Sequence, residues 1–130
     1  MIRAVRAALI FLAIAPLVVA CGSETLRPEP PSDVAYLEDV SGGDDASIDG
    51  RLSITDGCLR FEANNQLFVP IFPDRGIAWD GDNLKVGDRE FPLDVDITLG
   101  GGGYEGTKPQ GATIPPGCAM VENFWVVNLD

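Results

Sequence analysis

The sequence predicts an all-β domain, a small disulfide-pinned barrel or sandwich. Three observations predict it: apolar residues alternate with polar ones in short runs, turn pairs separate the runs at close spacing, and no segment sustains a helical period. The clearest run is 48–54, with Ile48, Gly50, Leu52 and Ile54 on one face and Asp49, Arg51 and Ser53 on the other. Asp56-Gly57 is a tight-turn pair, so Cys58-Leu59-Arg60-Phe61-Glu62 reads as the returning strand of a hairpin. Asn64-Asn65 makes the next turn before a strand over 67–72 that ends at Pro73. Asp80-Gly81-Asp82-Asn83 separates Ile77-Ala78-Trp79 from Leu84-Lys85-Val86, and Gly87-Asp88 separates that from Arg89-Glu90-Phe91. Residues 94–99 alternate again, with Val95, Ile97 and Leu99 expected inward, and Phe124-Trp125-Val126-Val127 forms the last strand. A closed barrel of five to seven strands, OB-like in general shape, hides most strand edges, as a small exported domain requires.

The N-terminus carries a different signal. Arg3 and Arg6 precede an apolar run over 7–20, and Val18-Val19-Ala20-Cys21-Gly22 closes it. A membrane-spanning helix needs about 20 apolar residues, and this run is shorter and interrupted by Pro16. The pattern is that of a lipoprotein signal peptide: the basic residues stay on the cytoplasmic side, and cleavage before Cys21 leaves its thiol to carry the lipid. The expected organisation is a signal at 1–20, lipidated Cys21 with a flexible Pro-rich tether over 21–45, and the β-domain over 46–130. Pro28, Pro30 and Pro31 favour an extended tether. Residues 34–40 read as a short strand or a helical turn, broken by Ser41-Gly42-Gly43-Asp44-Asp45.

Charge and cysteine use agree with export. Cleavage at Cys21 removes Arg3 and Arg6 from the 9 basic residues and leaves all 20 acidic ones, which moves the formal charge from −11 to −13. Such a surface repels phosphate backbones and argues against nucleic acid as a partner; it also repels anionic bilayers, so the lipid must hold the protein to its membrane. The expected location is the bacterial cell envelope, facing the periplasm or the exterior. Cys58 and Cys118 form an even pair in an oxidising compartment and are expected to be bridged. With no histidine in the chain and two distant cysteines, no metal site or other cofactor is expected.

The order Gly50-x-Leu52, Gly57-Cys58-Leu59, Val69-Pro70-x-Phe72-Pro73, Gly87-Asp88, Gly100-Gly101-Gly102 and Pro116-Gly117-Cys118 resembles an uncharacterised group of small bacterial lipoproteins and exported domains. The resemblance covers about 49–127, implies a disulfide-pinned β-domain, and brings no catalytic residues with it.

The connection over 100–117 is the main site candidate, because long loops without structure of their own tend to be functional or disordered. Tyr104 and Lys108 supply it with an aromatic face and a positive charge. Asp80, Asp82 and Asp88 loosely resemble the start of a calcium loop, but Leu84 stands where a third ligand belongs and no glutamate closes the loop at Phe91, so a solvated hairpin turn is expected. Trp79, Trp125, Phe61, Phe68, Phe72 and Phe91 are expected to be core and not a ligand pocket. Catalysis has little support: no histidine serves as a base, oxidised cysteines are not nucleophiles, and Asp94 and Asp96 face solvent. The expectation is a membrane-anchored, non-enzymatic protein that binds an envelope protein or a small ligand through its loops. A structural envelope component and a carboxylate-dependent hydrolase are the alternatives.

Overall fold

The computed structural model describes residues 29–38 and 44–130. Its strands are β1 (Ala35–Leu37), β2 (Ala46–Thr55), β3 (Cys58–Ala63), β4 (Gln66–Pro73), β5 (Ile77–Asp80), β6 (Asn83–Val86), β7 (Arg89–Pro92), β8 (Asp96–Glu105) and β9 (Asn123–Val127). The first two hairpins follow from their turns. Asp56 and Gly57 have φ of 54° and 72°, Asn64 and Asn65 have 51° and 59°, and the pairs Thr55↔Cys58 and Ala63↔Gln66 close two-residue loops of the kind such residues favour. β8 then pairs antiparallel with β2 and β9, and β9 pairs parallel with β4 from Phe68↔Asn123 to Ile71↔Val126. That last pairing closes a five-stranded barrel of β2, β3, β4, β9 and β8. In barrel numbering the first strand meets the second and fourth, and the third meets the second and fifth, which is the Greek-key order of an OB-type barrel. The three-stranded meander β5-β6-β7 lies in the connection between the third and fourth barrel strands.

Alternation along the strands makes two cores. Leu52, Leu59, Phe61, Phe68, Phe72, Leu99, Trp125 and Val127 form one buried cluster together with Ile77, Leu84, Val86 and Phe91 from the meander. The expected aromatics are core: Phe72 meets Phe91 at 5.2 Å between ring centres, and Phe68 meets Trp125 edge-on at 6.1 Å. Trp79 is half-buried, and its indole N–H donates to Asp33 Oδ1 at 3.0 Å. Val69, Ile71 and Phe124 point the other way and form a second buried cluster with Ala35, Cys58, Ala112, Cys118 and Val121. Each Val, Leu, Ile or Phe side chain among them contributes about 1.5–3 kcal/mol when fully buried. The cover for this outer face is the segment between β8 and β9, which includes a single 3₁₀ turn at Pro116–Cys118. It is fastened at both ends, by Gly106 N–H to the Glu122 carbonyl at 2.8 Å and by the Cys58–Cys118 disulfide.

Three expectations are corrected. The domain does not begin at 46: β1 pairs parallel with β4 through Ala35↔Ile71 and Leu37↔Pro73, Val34 and Ala35 are buried, and Leu59 N–H donates to the Asp33 carbonyl at 2.8 Å. The tether reading therefore fails for this stretch, which takes up β4 beyond the reach of β3. The connection over 100–117 is not a single loop, because Gly100 to Gly103, Tyr104 and Glu105 continue β8, Gly100 pairing with Ser47 of β2 and 101–105 pairing with β9. Glycine here answers a close approach: a Cβ at Gly101 would overlap the Val126 carbonyl oxygen, and one at Gly102 would overlap the Asp44 carboxylate. Finally, Val95 is 46% exposed and Ile54 42% exposed. Asp94, with φ of 59°, turns the chain before β8 begins, and Ile54 stands at the barrel rim beside the β2–β3 turn.

Candidate functional site

Where the cover between β8 and β9 ends, the outer face of the barrel opens into a cleft of about 110 Å³. Its floor comes from register and alternation. Ile71 of β4 and Val126 of β9 are partners across the closing pair, and both project outward. Leu37 at the end of β1, Pro73 at the end of β4 and Leu129 after β9 extend that apolar floor. Tyr104 forms a wall on β8 and is 44% exposed, two residues beyond Gly102, which pairs with Val126.

Backbone and side-chain bonds hold the surround in place. Asp74 N–H donates to the Leu37 carbonyl at 2.7 Å, which locks the end of β1 to the end of β4. Asn128 N–H donates to the Gly100 carbonyl at 2.9 Å, and its side-chain amide donates to the Asp44 carbonyl at 3.3 Å. Arg75 closes one side by meeting Asp130 with two nitrogens, at 3.1 and 3.4 Å. This fork-on-carboxylate geometry fixes both groups. Glu38 and Asp44 complete the rim; both are exposed, and among the described residues neither has a cationic partner. The result is an apolar floor, an aromatic wall, one neutralised ion pair and two carboxylates at the mouth.

Other charged groups lie away from the cleft. Arg51 Nε is 2.7 Å from Asp96 Oδ1, and hydrogen bonding to Arg51 together with its charge holds the Asp96 carboxyl below the usual range. Lys85 Nζ is 3.3 Å from Asp80 and 3.4 Å from Glu90, and both partners raise its ammonium above the ordinary lysine value. Asp80 ends β5, Asp82 sits in the β5–β6 turn and Asp88 in the β6–β7 turn, so they are hairpin residues. Among the described residues no three acidic or cysteine side chains converge as metal ligands.

Of the site residues expected from sequence, Cys58 and Cys118 are bridged, with their Cα atoms 5.1 Å apart. Tyr104 lines the cleft, but it does so from a strand and not from a loop. Lys108 is exposed in the segment beyond β8, outside the cleft lining, so the structure does not bring it together with Tyr104 as one site. Cys21 lies outside the described residues. Sequence reasoning missed Glu38, Asp44, Arg75 and Asp130, which reach the site from remote parts of the chain. Comparison with protein-family models, curated proteins and solved structures finds no match.

Proposed function

We propose that this chain is an exported envelope protein, anchored through lipid on Cys21, that binds a protein partner without catalysing a reaction. The observation that carries the binding reading is the cleft beside Tyr104. At about 110 Å³ it is well below the roughly 300–1,000 Å³ typical of small-molecule sites. It suits one anchoring side chain from a partner, the kind of buried contact that dominates protein interfaces. This favours a protein over a small ligand. Anchoring is supported by the Val18-Val19-Ala20-Cys21 pattern, by an acidic excess that disfavours unaided contact with anionic lipid, and by a disulfide suited to an oxidising compartment. The non-enzymatic reading rests on the placement of the acids. Glu38 and Asp44 are exposed at the rim and Asp130 is engaged by Arg75, whereas a general acid of the glycosidase type is kept in an apolar surround.

Two measurements test this. Labelling cells with a clickable fatty acid should mark the wild-type protein in the membrane fraction, and Cys21→Ala should lose the label and keep the uncleaved 1–20 segment, read as a larger mass. Fatty-acid label retained in that variant, or none in the wild type, would refute lipid anchoring at Cys21. A photo-crosslinking amino acid at Tyr104 should capture a defined envelope protein that the same group at Lys108 does not. Equal capture at the two positions would refute the cleft as the binding site.

A further inference from the structure

We propose that the cleft selects a lysine or arginine side chain of the partner, an inference that rests on the cleft being the partner-binding site. The lining suits such a side chain from floor to mouth. Leu37, Ile71, Pro73 and Val126 offer an apolar floor for the methylene stem, and Glu38 and Asp44 stand at the rim where the cationic head emerges. Long basic side chains divide in this way, with the stem on apolar surface and the charge toward water. Tyr104 presents a partly exposed ring on the wall, and an aromatic face attracts a cation by about 0.5–1 kcal/mol at sites of this exposure.

The one cation in the lining does not oppose this. Arg75 is held by both oxygens of Asp130, so its charge is neutralised within the wall. An anionic group would have to compete with Asp130 for Arg75 while approaching Glu38 and Asp44. An apolar side chain would fill the floor but leave the rim acids without a partner. The acidic excess of the whole chain acts in the same direction, since a negative surface steers a basic segment toward it and speeds encounter.

The chain has 2 tyrosines, Tyr36 and Tyr104, so tyrosine-selective isotope labelling gives a direct probe. Detergent-solubilised mature protein is titrated with three blocked pentapeptides that carry arginine, norleucine or glutamate between glycines, and the Tyr104 ring resonances are followed. The arginine peptide should shift Tyr104 saturably and bind at least about fivefold more tightly than the norleucine peptide. A double Glu38→Gln, Asp44→Asn variant should lose that preference without a fall in melting temperature, and added salt should weaken the arginine peptide alone. Norleucine binding as well as arginine would overturn the cationic specificity and leave the binding reading intact. Preference for glutamate would reassign recognition to Arg75 and overturn the proposal. No shift with any peptide would overturn both the proposal and the binding reading.

Discussion

At position 101 the chain requires a residue without a side chain, and the requirement comes from its neighbour. Gly101 has φ of 145°, and a Cβ there would overlap the Val126 carbonyl of the strand paired with it. Gly106 is a useful contrast, with φ of 72° but open space around it. Gly106→Ala should therefore cost only the left-handed backbone penalty, about 1 kcal/mol, and Gly101→Ala about 2–3 kcal/mol, since strain and overlap add. Urea unfolding of the two variants measures the difference, and equal losses would mean that the approach to Val126 does not constrain β8. This position also shows why the glycine run reads as a loop in the sequence. Glycine is a turn residue in most contexts, and only the partner strand reveals that it serves close approach. Tyr104 is legible in the sequence as an aromatic candidate, but its strand is hidden by the glycines that precede it.

The elements that can be read from sequence are those whose pairing is local. The β2–β3 and β3–β4 hairpins and the β5-β6-β7 meander are announced by turn residues that lie between the strands they join. β1 and the β4–β9 closure are parallel pairings between remote segments, and a parallel pair leaves no turn signature at either strand. The disulfide joins the two levels, because it ties the start of β3 to the 3₁₀ turn that covers the outer face. With its cysteines 60 positions apart, the link restricts the unfolded chain by about 4 kcal/mol in the entropy model. A Cys58→Ser, Cys118→Ser double variant should then melt at least about 15 °C lower, at roughly 4–8 °C per kcal/mol for a domain of this size. Calorimetry reads the shift. A loss of only a few degrees would show that the outer cluster of Val69, Ile71, Val121 and Phe124 holds the cover without the bridge.

For the molecule as a whole, charge is the property most completely visible in the sequence and the cleft the least. The acids around the cleft come from just after β1, from the residues before β2 and from beyond β9, and no local pattern links Glu38, Asp44 and Asp130 before the barrel closes. The acidic excess, in contrast, survives folding unchanged in kind: among the described residues no charged side chain is buried. The ion pairs that fix opposite charges are exposed or half-exposed, such as Arg51–Asp96 and Lys85 with Asp80 and Glu90, and exposed pairs contribute little. Net repulsion among the remaining carboxylates should therefore outweigh attraction, and screening it should stabilise the fold. Raising sodium chloride from about 10 mM to 300 mM shortens the Debye length from about 30 Å to below 10 Å. The melting temperature of the protein at neutral pH should rise by several degrees, on the order of 4–8 °C per kcal/mol of repulsion removed. A scan across that range checks it. A fall in melting temperature would mean that surface ion pairs, and not the uncompensated acids, set the electrostatic balance, and would weaken the charge-steering part of the argument for a basic partner.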